Sequence, residues 1–170
     1  MSKFKTSHIR KCYGEPRGFG LLEIIVGVTI ISVAFFVLLG VTHNALVLSR
    51  ETSRSIRAAF LMEEGLEAVR VIRDNGWISQ IVPLNVDTEY DLYFNGTTWV
   101  STTTPQTVDE IYRRTFVLRD VYRDASSDIA ESGTIDSGTH KVEVGVGWTS
   151  SRGSARSVDA STYITNFFND

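Results

Sequence analysis

The chain has 170 residues, 42% hydrophobic and 22% charged, with a formal net charge of −3, which is enough for one domain of ordinary size. Its single cysteine, Cys12, lies near the N-terminus, so the rest of the chain has no disulfide, no cysteine-based metal site and no thiol nucleophile. Charge is divided unevenly: residues 1–18 hold five basic residues (Lys3, Lys5, Arg10, Lys11, Arg17) against Glu15, a net +4, while the remainder holds 12 basic and 19 acidic residues, a net −7. That acidic balance argues against nucleic acid as a main partner, because phosphate binding needs a basic face.

In chain order, the first element is a basic leader over 1–18. A positive block ahead of an apolar span predicts that this end stays in the cytoplasm. From Ile24 to Ser49 no residue is formally charged, and the apolar core runs from Ile24 to about Val41. Roughly 20 such residues cross a bilayer as a helix. Ile and Val favour strands in water, but in lipid the backbone must satisfy its own hydrogen bonds, which selects helix. A secretory signal peptide is the competing reading; it would be removed after a small-x-small site. Here Leu46, Val47 and Leu48 follow Ala45 and extend the helical pattern past any such cut.

Glu23 stands alone at the mouth of the span. An unpaired acidic residue at the centre of a membrane helix costs roughly 2.5–3.5 kcal/mol, and less near the interface. Two readings follow from the residue alone: a carboxylate that snorkels to the headgroups, or one that waits for a cationic partner.

Gly18, Phe19 and Glu23, with Leu21-Leu22 between them, resemble the class III signal of type IV prepilins and type II secretion pseudopilins. The resemblance implies cleavage between Gly18 and Phe19 by a membrane aspartyl prepilin peptidase, which also N-methylates Phe19. It makes Glu23 the fifth residue of the mature chain, paired during assembly with the α-amino group of a neighbouring subunit; within one helix the two groups lie at i and i+4. The implied partners are the peptidase, other pilin or pseudopilin subunits met through the N-terminal helix, and membrane lipid. The implied site is cytoplasmic membrane, single-pass, with the head outside. Many type IV pilins have Pro where this chain has Gly40. Glycine weakens a helix by up to ~1 kcal/mol against ~3 for Pro, so a kink at Gly40 and simple close packing at Gly27 and Gly40 both stay open.

Beyond the span, Ala58, Leu61, Met62, Gly65, Leu66, Val69 and Ile72 recur on one face of an α-helix. Arg57, Glu63, Glu64, Glu67, Arg70 and Asp74 fall opposite, with Arg70 and Asp74 spaced for an i, i+4 pair. Asn75-Gly76 reads as the helix stop. A helix from Phe19 to Asn75 has about 57 residues and a length of about 85 Å. Its first part (19–48) lies in lipid and its second (49–76) backs a head domain; Gly65 in the stripe lets a sheet approach closely. Phe60–Glu67 with Arg70, Arg73 and Asn75 more loosely resembles minor pilins of the PilV type.

The head, 77–170, reads as strands. Val142, Val144, Val146 and Trp148 alternate with Lys141, Glu143, Gly145 and Gly147, and Val158, Ala160, Thr162 and Ile164 give a second strand after the loop Ser150–Ser154. Tyr90–Phe94, Asn95-Gly96 and Thr98–Val100 carry a two-residue hairpin signal, and Arg114–Val121 supplies a further strand. Ser101–Thr107 and Ala125–Thr139 read as loops. The fold class is α+β: the long N-terminal helix, transmembrane in its first half, packs by its second half on a small antiparallel sheet, a pilin-like arrangement.

No catalytic, metal or cofactor constellation emerges. His8, His43 and His140 have no His or Cys at ligand spacing. Asp120, Asp124, Asp128 and Asp136 do not match an EF-hand loop, and neither a phosphate loop after a strand nor a nucleophile elbow is present. Tyr112, Tyr122, Trp148 and Tyr163 read as sheet packing. The expectation is a structural subunit without enzymatic activity, metal or cofactor. The alternative is a permanently anchored extracytoplasmic binding domain.

Overall fold

The structure, a computed structural model, describes residues 18 and 20–167. The leader apart from Gly18, and with it Phe19, lies outside the described residues. One helix, α1, runs Leu21–Asp74. The chain divides into two compact units, one up to Ala45 and one from Leu46 onward.

In the first unit the Gly20 carbonyl starts α1 by accepting the N–H of Glu23 (2.9 Å) and of Ile24 (3.3 Å). Helix continues without interruption through Gly27 and Gly40. Its large side chains face outward: Leu21 is 77% exposed and Phe36 72%. The hydroxyls of Thr29, Ser32 and Thr42 donate to the carbonyls of Ile25, Val28 and Leu38 at 2.7, 2.8 and 2.9 Å, so each of these three hydroxyls is satisfied within its own helix, as a hydrocarbon environment requires. Among the described residues this is one helix long and apolar enough to cross a membrane.

In the second unit the same helix becomes amphipathic. Ala58, Leu61, Gly65, Ala68, Val69 and Ile72 are buried, and Met62 and Leu66 are half-buried, which is the face expected from their spacing. The helix stops at Asp74: Asn75 N–H donates to Val71 and Gly76 N–H to Arg73. Gly76 has φ +134, a backbone that side chains rarely adopt, and a β-carbon there would stand 2.5 Å from Ser79 Oγ. A π-helical turn, Trp77–Ile81, follows and buries Trp77 and Ile81.

Six strands complete the head: β1 Glu89–Phe94, β2 Trp99–Thr102, β3 Tyr112–Arg123, β4 Ile129–Ala130, β5 Thr134–Thr149 and β6 Ala155–Thr165. All pairings are antiparallel, in the order β2-β1-β3-β5-β6, with β4 on the end of β3. Alternation places Tyr112, Arg114, Phe116 and Leu118 of β3 and Val142, Val144, Val146 and Trp148 of β5 on one face. That face packs on α1. One cluster joins Ala68, Val69 and Ile72 to Phe116, Leu118, Val142, Val144 and Ile164, with Trp77 and Ile81 at its end. A second joins Ala58 and Leu61 to Tyr112, Val146 and Trp148. Each fully buried aliphatic or aromatic side chain contributes about 1.5–3 kcal/mol. Gly65 lies where the layers come closest: a β-carbon would stand 2.8 Å from Val144 Cγ1 and 2.9 Å from Arg114 Cδ.

Four local expectations are corrected. The β1–β2 turn has four residues, not two, because Phe94 pairs with Trp99 and the Asn95 side chain accepts the N–H groups of Thr97 and Thr98, fixing a longer loop. β2 continues through Thr102. The stretch 125–139 is not all loop: β4 lies within it, and β5 starts at Thr134 by pairing with the end of β3 past a register shift between Asp120 and Tyr122. Arg70 and Asp74 do not pair with each other; Arg70 bonds Glu67 and Asp74 bonds Arg73.

Candidate functional site

The residues singled out by the sequence lie at the start of α1. A β-carbon at Gly18 or Gly20 would meet no atom within 4 Å. Glu23 is exposed in the first turn, and its carboxylate has no partner among the described residues. A carboxylate there faces the positive end of the helix dipole, a favourable placement of about 0.3–1 kcal/mol. Its expected counterpart, the amine of Phe19, lies outside the described residues.

The head carries its charge in networks. Arg114 points from β3 toward the helix and is 3% exposed; its Nη1 donates to Glu64 at 2.7 Å, and its guanidinium lies 4.5 Å over the Trp99 ring. On the opposite face of the sheet, Arg113 holds the fully buried Asp91 through Nε (2.9 Å) and Nη2 (2.6 Å), and Asp91 also accepts the Gln106 N–H at 3.1 Å. The hydrogen bond to Asp91 holds the Arg113 guanidinium above its ordinary range. Next to it, Glu143 accepts from Lys141 (2.9 Å) and Arg119 (3.1 Å), and Arg119 also pairs with Asp87. Lys141 and then Arg119 keep the Glu143 carboxyl below its usual range, and Glu143 in turn raises Lys141. Arg123 lowers Asp136 in the same way, from 2.7 Å.

The turn between β5 and β6 is tied to the helix. Glu51 accepts both the hydroxyl and the N–H of Ser151, which lowers its carboxyl, and Arg54 reaches the Thr149 carbonyl at 3.4 Å.

The remaining candidates have structural surroundings. His43 is exposed on α1, and His8 lies outside the described residues. His140 stacks on Trp77 at 5.6 Å, with Nδ1 4.0 Å from Asp120 Oδ1. Asp124 accepts the N–H groups of Ser126 and Asp128. No three His, Cys, Asp or Glu residues gather in a group able to hold a metal ion among the described residues. Tyr112 and Trp148 pack together at 6.2 Å, whereas Tyr163 is about half exposed.

A hollow of about 390 Å³ lies on the face away from the helix, lined by Thr115, Val117, Glu143, Gly145, Asp159 and Ser161 among others. Thr115, Gly145 and Asp159 are directly paired across β3, β5 and β6, and the missing side chain of Gly145 leaves the depression between the other two. The alternation around Val144 marks Gly145 as outward-facing. Bringing Thr115 and Asp159 to it requires the strand register, which the sequence does not supply.

A long apolar-then-amphipathic helix packed by its second part on an antiparallel sheet is an α+β fold compatible with a pilin-like architecture. Comparison with protein-family models, with curated proteins and with solved structures gave no match to this chain.

Proposed function

We propose that the chain is the precursor of a minor type IV pilin or pseudopilin, a structural subunit that is cut after Gly18 and assembled into a pilus or a secretion or competence pseudopilus. The observation that carries this reading is the Gly18-Phe19…Glu23 signal of the sequence at the head of a single helix that combines an exposed apolar stretch beginning within its first turn with a later stretch that packs on an antiparallel sheet. A removable signal peptide would have no reason to share its helix with a packed face. In this reading the protein sits in the cytoplasmic membrane with its N-terminus inside and its head outside. A prepilin peptidase processes it and methylates Phe19, and it then joins other subunits through the N-terminal helix. Glu23, whose carboxylate has no partner among the described residues, accepts the released amine of a neighbour. The reading assigns the chain no reaction, metal or cofactor.

The competing reading is a permanently anchored extracytoplasmic binding domain. Intact-mass or N-terminal peptide spectrometry of protein from its native membrane separates the two: a chain starting at methylated Phe19 supports the subunit, and a chain starting at Met1 supports the anchor.

A further inference from the structure

The last strand, β6, is an edge strand of eleven residues, paired with β5 in unbroken register from Thr139↔Thr165 to Thr149↔Ala155. In an edge strand, alternate N–H and C=O groups point away from the sheet. None of those in β6 meets another backbone or side-chain group among the described residues. Natural edges of this length are commonly blunted by charged side chains, lysine above all, by proline or by a bulge; Ala155–Thr165 has no lysine, proline or bulge, and its charged residues are Arg156 near its start and Asp159. The opposite edge, β2, has four residues.

Beside this open edge lies the hollow over Gly145. Its two carboxylates differ in state. Glu143 is already neutralised by Lys141, which also lines the hollow, and by Arg119, whereas Asp159 is exposed and has no partner among the described residues. Asp159 and Ser161 belong to β6 itself and point to the hollow side. A strand laid against β6 would therefore place every second side chain level with them. A β-carbon on Gly145 would meet nothing nearer than Thr115 Oγ1 at 3.9 Å, so the floor has room for the end of a long side chain. On the other side of β6, Val158, Ala160 and Thr162 are half-buried and offer small, mostly apolar neighbours.

We infer that β6 is a strand-addition site for an extended segment of another polypeptide. The added segment presents apolar residues beside Val158 and Ala160 and one lysine or arginine to the hollow, where Asp159 receives it. Main-chain bonds to the edge supply affinity, and the hollow supplies the choice of side chain. The charge-assisted bond to an otherwise unpaired carboxylate favours a cation over any neutral residue. The inference concerns the head alone and stands whether or not Phe19 becomes the mature N-terminus.

The test uses the full chain in detergent micelles and a fluorescent extended peptide alternating threonine and valine with one central lysine, followed by anisotropy. Saturable binding is expected. Replacing the central lysine with glutamate should weaken it by about tenfold or more, and N-methylating the amides along one edge of the peptide should abolish it. Gly145→Leu, which fills the hollow, and Asp159→Asn, which adds no bulk, should each remove the preference for lysine while leaving the sensitivity to N-methylation; a circular dichroism spectrum like that of the wild type confirms the fold of both. Equal binding of the lysine and glutamate peptides, or no saturable binding below about 1 mM, overturns the inference. It is equally overturned if wild-type chains self-associate through this edge, seen as a dimer in light scattering that Ser161→Pro dissolves, because the occupant is then a second copy.

Discussion

Arg114 Nη1 donates to Glu64 Oε2 at 2.7 Å across the helix–sheet boundary, from a residue that is almost wholly buried to one whose side chain is half exposed. The arginine therefore depends on the helix for its counter-charge, while the glutamate retains water on its other side. Removing Glu64 leaves a guanidinium inside the head with the Leu61 carbonyl and the Trp99 ring face as its remaining partners among the described residues. Because water screens the exposed partner, Glu64→Ala should cost about 1–2 kcal/mol rather than the larger loss seen for fully buried pairs. In an Arg114→Met background the same change should cost almost nothing. Urea unfolding followed by tryptophan fluorescence checks this, and additive losses would show that the pair is not coupled.

Gly65 gives a prediction of opposite character. Alanine normally strengthens a helix by about 1 kcal/mol relative to glycine. Here its β-carbon would meet Val144 Cγ1 at 2.8 Å, and overpacking costs about 1–3 kcal/mol. Gly65→Ala should therefore be neutral to destabilising, and Gly65→Leu strongly destabilising. Adding Val144→Ala should restore Gly65→Ala above the Val144→Ala single variant. A stabilised Gly65→Ala single variant would mean that the layers do not touch at this point.

The charge networks set a pH window. Glu51, Asp136 and Glu143 have folded-state carboxyls below their ordinary values of 4.5, 3.8 and 4.5. Their contribution to stability is present above those values and is lost as pH falls through the lower folded ones. Lys141 is raised above 10.5, so its contribution is present below that value and is lost as pH rises through the higher folded one. The head should hold a plateau at neutral pH, weaken in acid and weaken again in strong alkali. Glu143→Gln should flatten part of both slopes, since it removes the partner of Lys141 as well. Thermal melts of the two proteins across pH measure this directly, and parallel curves would exclude Glu143 as a source of either slope.

Two substitutions at the start of α1 test the processing and assembly reading. Gly18 replaced by leucine should leave an uncut precursor in the native membrane; normal processing would remove the basis for assigning the signal. Glu23→Ala should insert and be processed as usual but fail to enter fibres, and wild-type levels in sheared or purified filaments would count against a pairing role for that carboxylate.

What the sequence disclosed was periodic, and what it concealed was register. The buried stripe Ala58–Ile72, the stop at Asn75-Gly76 and the alternation Val142–Trp148 each follow from a local period or a local backbone need. Gly65 could be assigned a close approach because its neighbours on the stripe are large. By contrast, the first half of β5 is rich in Ser, Thr, Gly and Asp and mostly lies outside the core, so no alternation marks it; its pairing with β3 makes it a strand. Residue type also misleads at Arg114 and Asp91. Both read as surface residues, yet one faces the helix and the other is covered by Arg113 and the Gln106 segment. The hollow at Gly145 was half legible: the glycine alternates outward, but its neighbours Thr115 and Asp159 come from strands far apart in the chain.

The hydrogen bond from Ser151 N–H to Glu51 joins residues 100 positions apart, and it has a consequence for how the protein is made. The apolar face of the helix is synthesised well before β5 and β6, which complete the sheet over it. Contacts of such long sequence separation form slowly because a large loop must close first. Throughout that interval Leu61, Val69 and Ile72 lack the β5 residues Val142, Val144 and Val146 of their clusters. A chain truncated before β5 should therefore be held by chaperones or degraded, and the order of synthesis makes β5 and β6 the step that commits the head to its fold.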